Sequence, residues 1–237
     1  MNKDIIDKIK SRGYWRINFQ PLVYERKLKL GDCKDIVEKN DVELRGWNYP
    51  HFPRRVGDDT GLEPGENFYG GWVDWFNHIE FWRMYESGQF LHYLALREDW
   101  GEAGNWAGIR GTEIKPGTLI GITGSITYQL TEIYEFLSRL TRAGVYDTGV
   151  RVSISLNNTK GRKLWIEDPM RAGFLMDYKT GAERIEFTEQ YTKEDLLMKP
   201  KDLAFDIIIY ICDHFGWHKP SVDVIKKDQD ALLNMRI

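Results

Sequence analysis

Residues 71–85 of the chain read Gly-Trp-Val-Asp-Trp-Phe-Asn-His-Ile-Glu-Phe-Trp-Arg-Met-Tyr, and after Glu-Ser-Gly-Gln the sequence continues Phe-Leu-His-Tyr-Leu-Ala-Leu through residue 96. Aromatic residues suit a pleated, half-buried surface, and each ring takes a large area out of water. This segment therefore demands a sheet with a substantial core against it. Ser87-Gly88 stands where a tight turn is needed, so the segment is read as one long β-hairpin, 71–85 against 90–96. Trp75, Ile79, Trp82 and Tyr85 also fit helical spacing, but the turn between two aromatic runs favours strands.

The rest of the chain supplies elements to pack with that hairpin. In residues 14–20, Tyr14, Arg16, Asn18 and Gln20 alternate with Trp15, Ile17 and Phe19, the period of a strand with one buried face. Residues 28–40 carry Leu30, Cys33, Ile36 and Val37 on one helical stripe, and 42–47 reads as a second strand. Residues 48–70, with three prolines and four glycines, read as a long loop, and 101–117 as a second glycine-rich one. A strand at 118–123 leads into the clearest helix, where Ile126, Leu130, Ile133, Tyr134, Leu137 and Leu140 share a face. Gln129, Glu132, Glu135 and Arg139 lie opposite, Ser125 is a natural N-cap and Gly144 a natural stop. Residues 150–156 alternate as a strand that 157–161 turns into 163–167, a second hairpin, and 184–188 adds a further strand. The apolar stripe from Leu203 to Phe215 is a buried helix, which Pro220 separates from a more polar one at 221–235.

Together these predict an α+β fold: a mixed, mostly antiparallel sheet with two β-hairpins, one amphipathic helix packed on it and a C-terminal helical pair. Residues 1–237 are read as one domain, with 1–113 and 114–237 as conceivable lobes because the element order is similar in each.

The composition excludes several classes. With 14% aromatics and a net charge of −3 the chain is not disordered. No run approaches the ~20 apolar residues of a membrane span, and Asp4 and Asp7 interrupt any signal-peptide core. Two cysteines cannot build a disulfide framework, so a cytoplasmic setting with reduced thiols is expected. Charge is uneven: residues 1–55 carry +5, residues 56–113 carry −8 and the remainder is neutral. The two blocks either face each other within the fold or form a bipolar surface.

The segments Gly13-Tyr-Trp-Arg16, Leu44-Arg-Gly-Trp-Asn-Tyr-Pro-His51 and Ser87-Gly-Gln-Phe90 resemble those of a group of prokaryotic hypothetical proteins. The resemblance implies a prokaryotic, cytosolic setting and transfers no catalytic residue.

Four constellations hold residue types suited to chemistry. Glu167-Asp168 followed by Asp177-Tyr178-Lys179 is similar to the acid–acid–lysine set of PD-(D/E)xK nucleases, in which carboxylates hold Mg²⁺ and the lysine steadies the attacking water. His78, Glu80 and His92, with Asp74 nearby, form a second titratable group that could hold a metal or perform acid–base chemistry, but histidines in aromatic surroundings are more often packed and hydrogen-bonded. Cys212, His214 and His218 lack a fourth ligand. Gly121-Ile-Thr-Gly-Ser125 joins a strand to a helix, as phosphate loops do, but a helix cap accounts for it. No resident metal or other cofactor is expected, Mg²⁺ entering only with the nuclease alternative.

The tryptophans remain. Those in loops (Trp47, Trp100 and Trp106), close to Arg45, His51, Arg54, Arg55 and Arg110, suit stacking on bases or gripping a protein. The expected function is thus a non-enzymatic binding or regulatory domain for a protein or nucleic acid. The alternative is a Mg²⁺-dependent nuclease centred on Glu167, Asp168, Asp177 and Lys179.

Overall fold

A computed structural model describes residues 3–23, 28–101 and 115–235. The alternating segment near the N-terminus forms β1 (Tyr14–Pro21), preceded by α1 (Lys3–Lys10) and followed by α2 (Leu30–Asn40). Next come the short β2 (Val42–Glu43) and β3 (Asn48–Tyr49), then β4 (Thr60–Pro64), β5 (Phe68–Trp75), β6 (His78–Tyr85) and β7 (Phe90–Ala95). The second half holds β8 (Leu119–Gly121), a wide π-helical segment Ile122–Tyr128, α3 (Gln129–Arg142), β9 (Val150–Asn157), β10 (Lys163–Trp165) and β11 (Arg184–Tyr191). It closes with α4 (Lys193–Met198), α5 (Pro200–His214) and α6 (Val222–Leu233).

Among the described residues, seven strands form one sheet in the order β11-β9-β1-β7-β6-β5-β4, every pair antiparallel. Strand β1 is an interior strand between β7 and β9, with Ile17 opposite His92 on one side and Ile154 on the other. The period of two then separates the faces. Trp15, Ile17, Phe19, Trp82, Met84, Phe90, Leu94, Ile154 and Leu156 join one large core with residues of α2, α3 and α5. Burial of an aliphatic or Phe side chain in such a core contributes roughly 1.5–3 kcal/mol. On the other face α1 lays Ile5 and Ile9 on Ile79, Phe81 and Ala95. The α+β class and the largely antiparallel sheet agree with the sequence, and no helix among the described residues is long and apolar enough to cross a membrane.

Several local expectations are corrected. Residues 71–85 are not one strand: Trp75 pairs with His78 across a two-residue turn, Phe76-Asn77, giving a three-stranded meander with β7. The strand read at 42–47 shrinks to β2, which pairs with β3 (Val42 with Tyr49, Glu43 with Asn48) around a turn whose Gly46 has φ +76°. That left-handed conformation suits glycine and ends the strand early. The 48–70 loop contains β3, β4 and the start of β5. Strand β10 does not fold back on β9: it runs parallel to β8, and the hairpin partner of β9 is β11. Asn158 and Gly161, both at positive φ, carry the chain off the sheet, and Gly161 N and Leu164 N donate to Thr180 O and Tyr178 O. Helices α1 and α4 were not anticipated. The two-lobe division is also not how the sheet is built, because β1 sits between β7 of the first half and β9 of the second.

Candidate functional site

The β2–β3 turn, the C-terminal end of β7 and the π-helical segment meet around a cavity of about 670 Å³. Its construction begins with Arg45 in the turn. The Arg45 guanidinium reaches Glu132 on α3 in a two-point pair (Nε to Oε1 2.9 Å, Nη2 to Oε2 2.5 Å) and also donates to Gly124 O and Gln129 Oε1. Gln129 and Glu132 were read as the solvent face of this helix; they are buried and wall the cavity instead. Burial pushes the Glu132 carboxyl up, and the charge of Arg45 only partly opposes this.

The second support is Glu167. Its carboxylate accepts from Thr123 N (2.8 Å), Gly124 N (2.7 Å) and Arg97 Nη2 (3.1 Å). The free amides expected at this strand-to-helix junction are thus held by a carboxylate 43 residues away, and Ser125 is not the cap. A Cβ at Gly121 would overlap the Glu167 carboxyl and one at Gly124 the Arg97 guanidinium paired with it, which is why glycines stand there. Burial also pushes Glu167 up, against the pull of Arg97.

Three arginines (Arg45, Arg97 and Arg171) and three carboxylates (Glu132, Glu167 and Asp168) line the cavity, so their formal charges cancel. Each arginine is paired: Arg45 with Glu132, Arg97 with Glu167, and Arg171 with Asp168 and Asp228. Trp15, Trp47 and Tyr128 add aromatic wall. Gln129 Nε2 and Thr123 Oγ1 meet no partner among the described residues, although both side chains are at least nine-tenths buried.

At the rim, Trp47 is 43% exposed and stacks on His78 with ring centroids 5.0 Å apart and planes 13° from parallel. Trp75 lies against both Trp47 and His51. Behind them Glu80 joins the two histidines, with Oε2 3.2 Å from His92 Nε2 and 3.4 Å from His78 Nε2, and its other oxygen accepts from His51 N. Tyr49 OH stands 3.1 Å from His92 Nδ1. Burial pushes the Tyr49 hydroxyl well up, so it stays protonated. Asp74 takes no part; it pairs with Lys8.

Of the residues expected to bind, Arg45 and Trp47 line the cavity. His51 belongs to the ring cluster behind it, with its backbone O accepting from Trp82 Nε1. Arg54 and Arg55 are exposed and outside the cavity, Arg54 lying 4.0 Å from Asp41. Trp100 is an anchor for the N-terminal helix region: the Arg12 guanidinium lies 4.2 Å from its ring centroid and the ring packs with the α1 cluster. Trp106 and Arg110 fall outside the described residues.

The nuclease set is not brought together. Glu167 is tied to the amides of residues 123–124, Asp168 accepts from Met170 N and pairs with Arg171, and Asp177 is exposed and pairs with Lys163. Lys179 is exposed in a bridge to residue 163, away from the cavity lining. Among the described residues no group of three or more His, Cys, Asp or Glu side chains is arranged to hold a metal ion. Cys212 is buried while His218 is exposed and pairs with Asp213.

Arg97, Tyr128 and Arg171 carry no signal in the sequence. Thr123 stands there within the strand-to-helix junction, and Gln129 and Glu132 on the polar face of an amphipathic helix, where the pattern shows polarity and not a cavity. No protein-family model, curated protein or solved structure matches the chain.

Proposed function

We propose that the chain is a non-enzymatic binding domain that takes a protein or nucleic acid by a protruding group received beneath Arg45 and Trp47. One observation carries this reading: a large, partly aromatic cavity opens beside an exposed tryptophan, and its buried walls hold polar atoms without a partner among the described residues. Its volume is within the roughly 300–1,000 Å³ of small-ligand sites. Metal-dependent cleavage is the weaker reading, because its four residues are committed to separate contacts. We read the setting as cytoplasmic and prokaryotic, in keeping with the free, buried thiols of Cys33 and Cys212.

The test is retention of partners from a lysate and of pooled single-stranded oligonucleotides in a gel shift, comparing the parent with Trp47→Ala and Arg54→Ala. Trp47→Ala is expected to weaken retention at least tenfold, about 1.4 kcal/mol or more, as for a central aromatic contact. Arg54→Ala, outside the cavity, is expected to change it less than about threefold. Equal retention by the parent and Trp47→Ala would contradict the proposal.

A further inference from the structure

We infer that the group received by the cavity is a nucleobase, so that the ligand is a nucleoside, free or within a single strand. This rests on the binding role proposed above and specifies its ligand. Three features select for it. First, the lining charges cancel and each arginine is already paired with a carboxylate, so the site offers no uncompensated cation for a strongly anionic ligand. Second, Trp47 and Tyr128 line the cavity, and Trp47 is 43% exposed although His78 stacks on it, so a base has aromatic surface to meet.

Third, two buried hydrogen-bonding groups of the lining have no partner among the described residues. Gln129 Oε1 is held by Arg45, which fixes the amide so that Nε2 is left to donate; the Thr123 hydroxyl is open while its amide is held by Glu167. Leaving such groups unmet costs about 1–3 kcal/mol each, which a ligand bearing one or two edge acceptors would recover. A base presents a broad face for the aromatic wall and a polar edge for these two groups.

The experiment is equilibrium dialysis of the intact chain against adenosine, guanosine, cytidine and uridine, their 5′-monophosphates, and ribose. Saturable one-to-one uptake of at least one nucleoside is expected, with its monophosphate held within about fivefold of the same affinity and ribose not retained. Thr123→Val and Gln129→Met, which keep side-chain size, are each expected to weaken uptake about fivefold to tenfold. Tighter binding of a homo-oligonucleotide than of its nucleoside would assign the base to a strand, and equal binding to the free nucleoside; either supports the inference. No uptake of any nucleoside, ribose retained as well as the nucleosides, or full uptake by both variants overturns it. Absent nucleoside uptake combined with lost partner retention in Trp47→Ala would remove the base assignment and leave the binding role intact.

Discussion

Asp99→Ala is expected to lower the stability of the folded chain by about 3–5 kcal/mol, a large share of the roughly 5–15 kcal/mol that holds a typical domain together. Asp99 sits in a single 3₁₀ turn, Arg97–Asp99, and is 1% exposed. Its carboxylate accepts from Gly13 N (2.7 Å), Gly117 N (2.7 Å) and both Nη atoms of Arg162 (2.9 and 2.5 Å). Arg162 is equally buried and also donates to Leu119 O and Asn158 O. Removing the carboxylate strands a guanidinium where water does not reach and leaves two amides without their acceptor. The loss far exceeds that of a surface pair, which is worth at most about 1 kcal/mol.

The same turn places Arg97 against Glu167, so the substitution is expected to weaken the cavity wall as well as the fold. Urea denaturation of the parent, Asp99→Ala and the double variant Asp99→Leu/Arg162→Met measures this. The double variant is expected to be more stable than the single one, since it buries no unpaired charge. A single variant within 1 kcal/mol of the parent would contradict the role given to the pair.

Glu80→Gln is expected to cost about 3 kcal/mol at neutral pH, with a pH signature that a packing defect would lack. Burial disfavours the Glu80 carboxylate, but the charge of His92 and the hydrogen bond and charge of His78 outweigh it and hold the group far below the usual carboxylate range. A carboxyl depressed in the folded state binds its proton less readily there than in the unfolded chain. Its stabilisation is therefore complete above the unfolded value of about 4.3 and is lost as pH falls toward the folded one. The stability gap between parent and Glu80→Gln is expected to be constant from pH 7 to about pH 5 and to narrow below that. Glu132 and Glu167 act in the opposite sense, since their raised folded values make burial of the charge less costly as pH falls. Both proteins contain them, so the difference removes all of their contribution except the smallest cause of the Glu132 shift, the charge of Glu80 itself. A gap unchanged down to pH 3 would show that the charge of Glu80 is not what stabilises the ring cluster.

Sheet and helices were legible where a side-chain period repeats over many residues. Trp15, Ile17 and Phe19 announce β1, and Ile126 through Leu140 announce α3, because burial on one face imposes the period itself. What failed was short or nonlocal. The Phe76-Asn77 turn is hidden by aromatic residues on both sides, and Asn77 there reaches the cavity rim. Strand β10 has three residues and takes its direction from β8, more than forty positions earlier, which no local pattern encodes.

The site shows the same division. Arg45 and Trp47 could be picked out because an arginine and a tryptophan beside glycine in a loop are costly to leave idle. The carboxylate of Glu167 on the amides of 123 and 124 could not, since Glu167 next to Asp168 and Pro169 looks like any turn. Its meaning comes from a contact across the fold. Glutamine and glutamate at 129 and 132 looked solvent-facing because the pattern reports polarity, and a polar cavity wall has the same polarity as a wet surface.

The central claim is that a ligand is received against Trp47. The most direct measurement replaces all nine tryptophans with 5-fluorotryptophan, assigns Trp47 and Trp165 from the ¹⁹F signals missing in Trp47→Phe and Trp165→Phe, and titrates the labelled chain with nucleosides and short single strands. The account predicts a saturable shift of the Trp47 signal while that of Trp165, outside the cavity lining, stays in place. Binding that saturates while the Trp47 signal does not move would contradict it.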